Sequence, residues 1–155
     1  MRTFRLLTQK CNVMKYIIDS QLIGKWYQIA RTFSHHEKSV AETMLYISPN
    51  SEDIKELLYV GIKEDRSKVL KKISLKTFCK NDSVFVVFRK GLFRKTLEIL
   101  TFDADEGVVV LSDKKMKYVS ILSRKSEMSQ KVVEGYLSKI RFMKEKVKLY
   151  STAIV

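Results

Sequence analysis

Gly24-Lys25-Trp26-Tyr27-Gln28-Ile29-Ala30-Arg31 holds the only tryptophan of the chain. Trp26, Gln28 and Ala30 fall on one side and Lys25, Tyr27, Ile29 and Arg31 on the other, which is the period of a β-strand. Gly24 removes a side chain where an entering segment passes close to other backbone. A large ring beside the small Ala30 suits a strand whose indole plugs the closed end of a barrel. An ordinary sandwich strand accounts for the alternation equally well.

Outward from this stretch, seven further strands are predicted over 41–48, 54–62, 68–78, 84–88, 95–102, 108–111 and 117–124. The first strand itself runs over 25–33. Short polar turns separate them, among them Pro49-Asn50-Ser51, Glu64-Asp65-Arg66-Ser67, Asn81-Asp82 and Asp105-Glu106-Gly107. Short strands joined in this way favour an antiparallel meander that closes into a barrel over a crossover fold. The run Val84–Phe88 is apolar on both faces, so it is covered outside as well as inside. The segment 32–38, with His35 and His36, reads as a loop. After Arg124 the period becomes 3.6: Ser129 is an N-cap, and Val132, Val133, Tyr136, Leu137, Ile140 and Met143 form one apolar stripe. The outer barrel face around Tyr27 and Ile29 is the natural partner of that stripe; Glu134 and the shortness of the helix argue against a membrane-surface role. Residues 147–151 add a short strand beside the first. Upstream, 15–23 reads as an apolar turn-like cover for the closed end, and 1–14 as a loosely ordered arm of a single domain, 1–155.

The 155 residues, 45% hydrophobic and 30% charged, are those of one folded domain. No apolar run reaches membrane-crossing length. Met1–Lys10 shows no signal-peptide pattern and Thr8-Gln9-Lys10-Cys11 no lipoprotein processing site, so the sequence reads as cytoplasmic. Cys11 and Cys79 have no metal-binding spacing and lie far from the two histidines, which predicts neither metal nor cofactor. They read first as two separate reduced thiols. A single disulfide tying the N-terminal arm to a strand end is the alternative, in an oxidising compartment. No nucleophile–base arrangement, phosphate loop or inward carboxylate pair is found, so the chain reads as a non-enzyme. The net charge of +13 attracts phosphate, yet the cations are spread along the chain as a solvated face.

The pattern G-x-W-Y-x-I-A-R at 24–31 resembles the first strand of a lipocalin. Tyr118-Val119-Ser120-Ile121-Leu122-Ser123-Arg124 resembles the last barrel strand of that family, at the expected separation and ahead of one amphipathic helix. The likeness covers 13–150 and is closest to bacterial lipocalins and apolipoprotein D. It implies an all-β fold with one helix: an eight-stranded antiparallel up-and-down β-barrel with the C-terminal helix packed outside. Gly24, Trp26 and Arg124 are then structural, with the guanidinium stacked on the indole, a contact worth about 0.5–2 kcal/mol. The implied inward, ligand-binding positions are Leu45, Ile47, Leu57, Tyr59, Ile73, Leu75, Phe85, Val87, Tyr118 and Ser120. Arg89 is implied at the mouth, where it meets a carboxylate or phosphate headgroup. Phe102-Asp103-Ala104 departs from the family's T-D-Y, and Lys125-Ser126 stands where a Pro often follows the arginine. Bacterial members are usually exported and lipid-anchored, a further departure.

The resemblance implies non-enzymatic carriage or storage of a small hydrophobic or amphipathic ligand, a fatty acid or lysophospholipid, without cofactor. The alternative is a basic module for polyanions, its partner an anionic membrane surface or nucleic acid; no RNA-binding motif supports the latter. A barrel of this size either holds one small ligand or fills with its own side chains.

Overall fold

A computed structural model of the chain describes residues 2–32, 40–51, 53–138 and 149–150. The period-two stretches form β1 (Gly24–Thr32), β2 (Val40–Pro49), β3 (Lys55–Lys63), β4 (Lys68–Lys80), β5 (Ser83–Lys90), β6 (Phe93–Asp103), β7 (Val108–Ser112) and β8 (Val119–Ser123). Helix α1 (Arg2–Gln21) precedes them, and α2 (Gln130–Ser138) and β9 (Leu149–Tyr150) follow. Each strand from β1 to β8 pairs antiparallel with the next, and β1 returns to pair with β8, Tyr27 opposite Ser123. Closure leaves no free edge in the eight-stranded barrel. β9 lies against β1 through Leu149 and Thr32, inside the stretch expected to do so. The turns after β2, β4 and β6 lie at the end where β1 begins, and those after β3, β5 and β7 at the other. Between β4 and β5, Asn81 and Asp82 take φ of 50° and 63°, the left-handed pair that a two-residue I′ hairpin requires.

Two cores result. One fills the barrel, with Trp26, Ile47, Leu57, Leu75, Val86, Leu97 and Val109 among its buried members. The other lies outside it, where Ile29, Ala30, Val110, Val119 and Ile121 meet Val133 and Tyr136 of α2. Ser129 caps α2 as expected, its Oγ accepting from the Val132 amide at 3.3 Å. Val132 itself is exposed and does not join the stripe; Ile140 and Met143 lie outside the described residues. Tyr136 donates to Asp103 Oδ2 at 3.0 Å. Burial, then that hydrogen bond and the charges of Asp103 and Glu106, push its phenol up to about 12. Asp103 thus anchors α2 although the residues flanking it depart from the family pattern.

Three expectations are corrected. A register shift in β1 between Gln28 and Ala30 turns both Ile29 and Ala30 outward, so Ala30 does not share the face of Trp26. Where a loose arm over 1–14 and a turn over 15–23 are expected, Arg2–Gln21 forms the helix α1, which makes two helices among the described residues rather than one. Cys11, Ile18 and Leu22 recur on one helical face and are buried in the barrel core. And Cys11 is bonded to Cys79 at the end of β4, their Cα atoms 5.9 Å apart, so the two thiols are not separate. The bond pins α1 to the closed end across 68 residues of sequence.

Candidate ligand cavity

The closed end is built on β1, β8 and the end of α1. Trp26 is 2% exposed, and its Nε1 donates to the Leu22 carbonyl at 2.9 Å. The guanidinium of Arg124 lies over the indole, its Cζ 3.7 Å from the ring centre. Nη1 donates to the Lys25 carbonyl at 2.7 Å and Nη2 to that of Ile23 at 2.8 Å and to that of Gln21. Arg124 therefore satisfies carbonyls at the end of α1 that no further helical turn takes up. Its close approach explains two glycines. A Cβ on Gly24 would lie 2.9 Å from Nη1, and one on Gly107 would lie 2.7 Å from Arg124 Cγ. Both also have positive φ, 116° and 67°.

Beside this plug Asp19 on α1 accepts from Lys55 at 3.1 Å, from Lys15 at 3.0 Å and from the Thr77 hydroxyl. Burial alone pushes its carboxyl up, but the hydrogen bonds from Thr77, Lys15 and Lys55 and the Lys55 charge together outweigh burial and hold it below the ordinary value. These residues close the barrel floor with a satisfied ion cluster.

Above the floor lies a cavity of about 350 Å³, at the lower end of the range of about 300–1,000 Å³ usual for small-molecule sites. Leu45, Leu57, Ile73, Leu97, Leu111 and Leu122 form its aliphatic walls, with Phe88 and Phe93 toward the opening. Gln28 donates to Ser120 Oγ at 2.8 Å and to the Tyr118 hydroxyl at 3.2 Å, a polar strip along one wall. Across from it Thr43 and Tyr59 approach to 3.5 Å. Lys71, Lys90 and Lys95 complete the lining among the described residues, and none of those residues is a carboxylate. Lys95 Nζ sits 3.7 Å from the centre of the Tyr118 ring and Lys71 Nζ 5.5 Å from that of Tyr59. Among the described residues no cluster of His, Cys, Asp and Glu is arranged to hold a metal.

Of the positions named from sequence, Leu45, Leu57, Tyr59, Ile73, Tyr118 and Ser120 converge on the cavity. Ile47 and Leu75 are buried in the same core without reaching its wall. Phe85, Val87 and Arg89 do not point inward. Val84 and Val86 occupy the core instead and Phe88 the cavity wall, Phe85 stacks on Phe78 outside with ring centres 5.2 Å apart, and Arg89 is exposed. A strand apolar on both faces carries no mark of which face is inner, and only its pairing with β4 decides. The cation at the mouth on this strand is thus Lys90. Lys71 and Lys95 were also missed. For Lys71 a signal existed, since it shares the parity of Ile73 and Leu75 on β4. His35 and His36 lie outside the described residues.

A family model described as a lipocalin-like domain matches residues 19–148. No curated protein matches the sequence. Among solved structures, lobster apocrustacyanin A1 superposes with a TM-score of 0.68 at 16% identity, covering 91% of this chain and 82% of its own. The siderocalin Ex-FABP, described as functioning through dual ligand specificities, does so with a TM-score of 0.62 at 18% identity, over 87% of this chain and 99% of its own. Insecticyanin from the tobacco hornworm gives 0.58 at 13% identity, over 85% and 78%. At such identities the structural likenesses speak to the fold.

Proposed function

The chain belongs to the family of lipocalin-like domains, and from that premise we propose that it carries or stores a single amphipathic molecule, a fatty acid or lysophospholipid, without catalysis. The tail lies along Leu57, Ile73, Leu97 and Leu111, where burial contributes about 0.8 kcal/mol per CH₂. The anionic head meets Lys71, Lys90 and Lys95 by charge-assisted hydrogen bonds. The observation that carries this reading is the composition of the lining among the described residues: aliphatic walls, three ammonium groups near the mouth and no carboxylate. A neutral apolar cargo has no use for those lysines. A polyanion-binding module has no use for the apolar hollow, so that alternative is not favoured as the main activity.

The test is displacement of a fluorescent fatty acid, run in parallel with the fatty alcohol of the same chain length. The double variant Lys71→Met with Lys95→Met is expected to weaken fatty-acid binding by about tenfold or more, the loss of one charge-assisted contact of about 1.5–3 kcal/mol, and to leave the alcohol nearly unchanged. Equal affinity of the unaltered protein for acid and alcohol sinks the anionic headgroup. Absence of any bound lipid in native mass spectra, together with no displacement, sinks carriage.

A further inference from the structure

The cavity takes Lys90 and Phe93 of the β5–β6 hairpin into its lining but does not account for Leu92 at the tip or for the outward Arg89 and Arg94. Its two-residue turn, Gly91-Leu92, links Lys90 to Phe93 across the pair. Gly91 has φ of 58° at the first central position, where a tight II′ turn places its glycine. The leucine presented there is 106% exposed and the next residue, Phe93, 53% exposed. Single apolar residues on a surface are ordinary, but two adjacent ones at the end of a rigid hairpin are not. They are flanked by Arg89, Lys90, Arg94 and Lys95 and by no acidic residue. Arg89 stands directly opposite Arg94 in the ladder, an arrangement of like charges that weakens a hairpin and gives the fold nothing.

The hairpin turns at the two ends of the barrel also differ in charge. At the open end, the turn segments 63–68, 89–95 and 112–118 hold ten Lys or Arg against three Asp or Glu. At the closed end, the described turn residues of 49–51, 53–55, 80–83 and 103–108 hold two against five. Anions are thus drawn to the mouth and repelled from the floor turns, an attraction that reaches about 8 Å at physiological ionic strength.

We propose that the 89–95 hairpin docks the mouth of the barrel on the surface of a bilayer containing anionic phospholipid. Leu92 and the exposed part of Phe93 enter the boundary between headgroups and acyl chains. The outward pair Arg89 and Arg94 meets lipid phosphates, while Lys90 and Lys95 face the cavity. Nucleic acid matches the cations but offers nothing to Leu92, whereas an anionic bilayer matches both. The proposal concerns the outer rim and holds whatever the cavity carries.

Vesicle flotation tests it, with phosphatidylcholine alone and with phosphatidylglycerol added, at low and high salt. The unaltered protein is expected to float only with the anionic vesicles and to be released by salt. Leu92→Asp, and separately Arg89→Gln with Arg94→Gln, are expected to lower the bound fraction about tenfold, while fatty-acid titration in solution stays unchanged. Leu92→Trp is expected to retain binding and to shift its emission to the blue on anionic vesicles alone. Flotation of Leu92→Asp equal to that of the unaltered protein overturns the proposal. So does equal binding to both vesicle types, binding to neither, or a duplex oligonucleotide that competes off the protein regardless of Leu92.

Discussion

Arg124 ties the end of α1 to β1 through one planar group: it binds the carbonyls of Gln21, the last residue of α1, and of Ile23 just after it, and in β1 the carbonyl of Lys25 and the indole of Trp26 beneath it. Burial draws its pKa down, but a guanidinium stays charged in a protein, so the contacts persist at any ordinary pH. Asp19 behaves differently, because its charge is lost within reach of acid. Its pKa is lowered on folding, so it contributes stability above the ordinary aspartate value of about 3.9, and that contribution is lost as pH falls through the lowered native value. Asp19→Asn leaves Lys55, with only 11% of its side chain exposed, without its carboxylate partner. It is expected to cost about 1–3 kcal/mol at neutral pH and to flatten the dependence of the urea midpoint on pH between neutrality and pH about 3. Parallel midpoint curves for the two proteins would show that the cluster does not set the acid limb.

At the scale of elements, α1 is the feature that sequence periodicity concealed. Among the residues whose burial is described, α1 buries Cys11 and Ile18, and Leu22 just after it is buried as well, while Val13, Met14, Tyr16 and Ile17 are exposed, so no clean stripe separates one face from the other over 10–22. β5 was illegible for the opposite reason, being apolar on both faces. β4 and the paired β2 and β3 were legible because one side is wet and the other dry. The disulfide holds α1 against β4 and closes a long loop, which limits the unfolded chain more than it alters the native one. Cys11→Ser with Cys79→Ser is expected to lose about 2–5 kcal/mol, read as a lower thermal midpoint; reductant should produce the same shift in the unaltered protein and none in the variant. Free thiols on both cysteines under non-reducing alkylation would contradict the bond. Such a bond persists in an oxidising compartment.

At the scale of the molecule, a closed sheet separates an inner core that stops short of the mouth from an outer core completed by α2. A ligand that binds only the folded barrel must stabilise it: saturation at a hundredfold excess over Kd is expected to add about 2.7 kcal/mol, seen as a rise in thermal midpoint with fatty acid and absent with a short-chain carboxylate that cannot fill the hollow. The sequence alone determined the number and order of the barrel strands, the helix that follows them, the family, and the roles of Trp26 and Arg124. The strands and the helix follow from local period and short-range turn chemistry, which each stretch carries within itself; the family and the roles of Trp26 and Arg124 follow from the resemblance of 24–31 and 118–124 to lipocalin strands. Only the tertiary structure decided that α1 forms the floor, that Cys11 meets Cys79, that Lys90 rather than Arg89 reaches the mouth, and that the barrel is hollow above Trp26. Each of these depends on register and closure between strands distant in sequence, where a slip of one residue exchanges inside for outside.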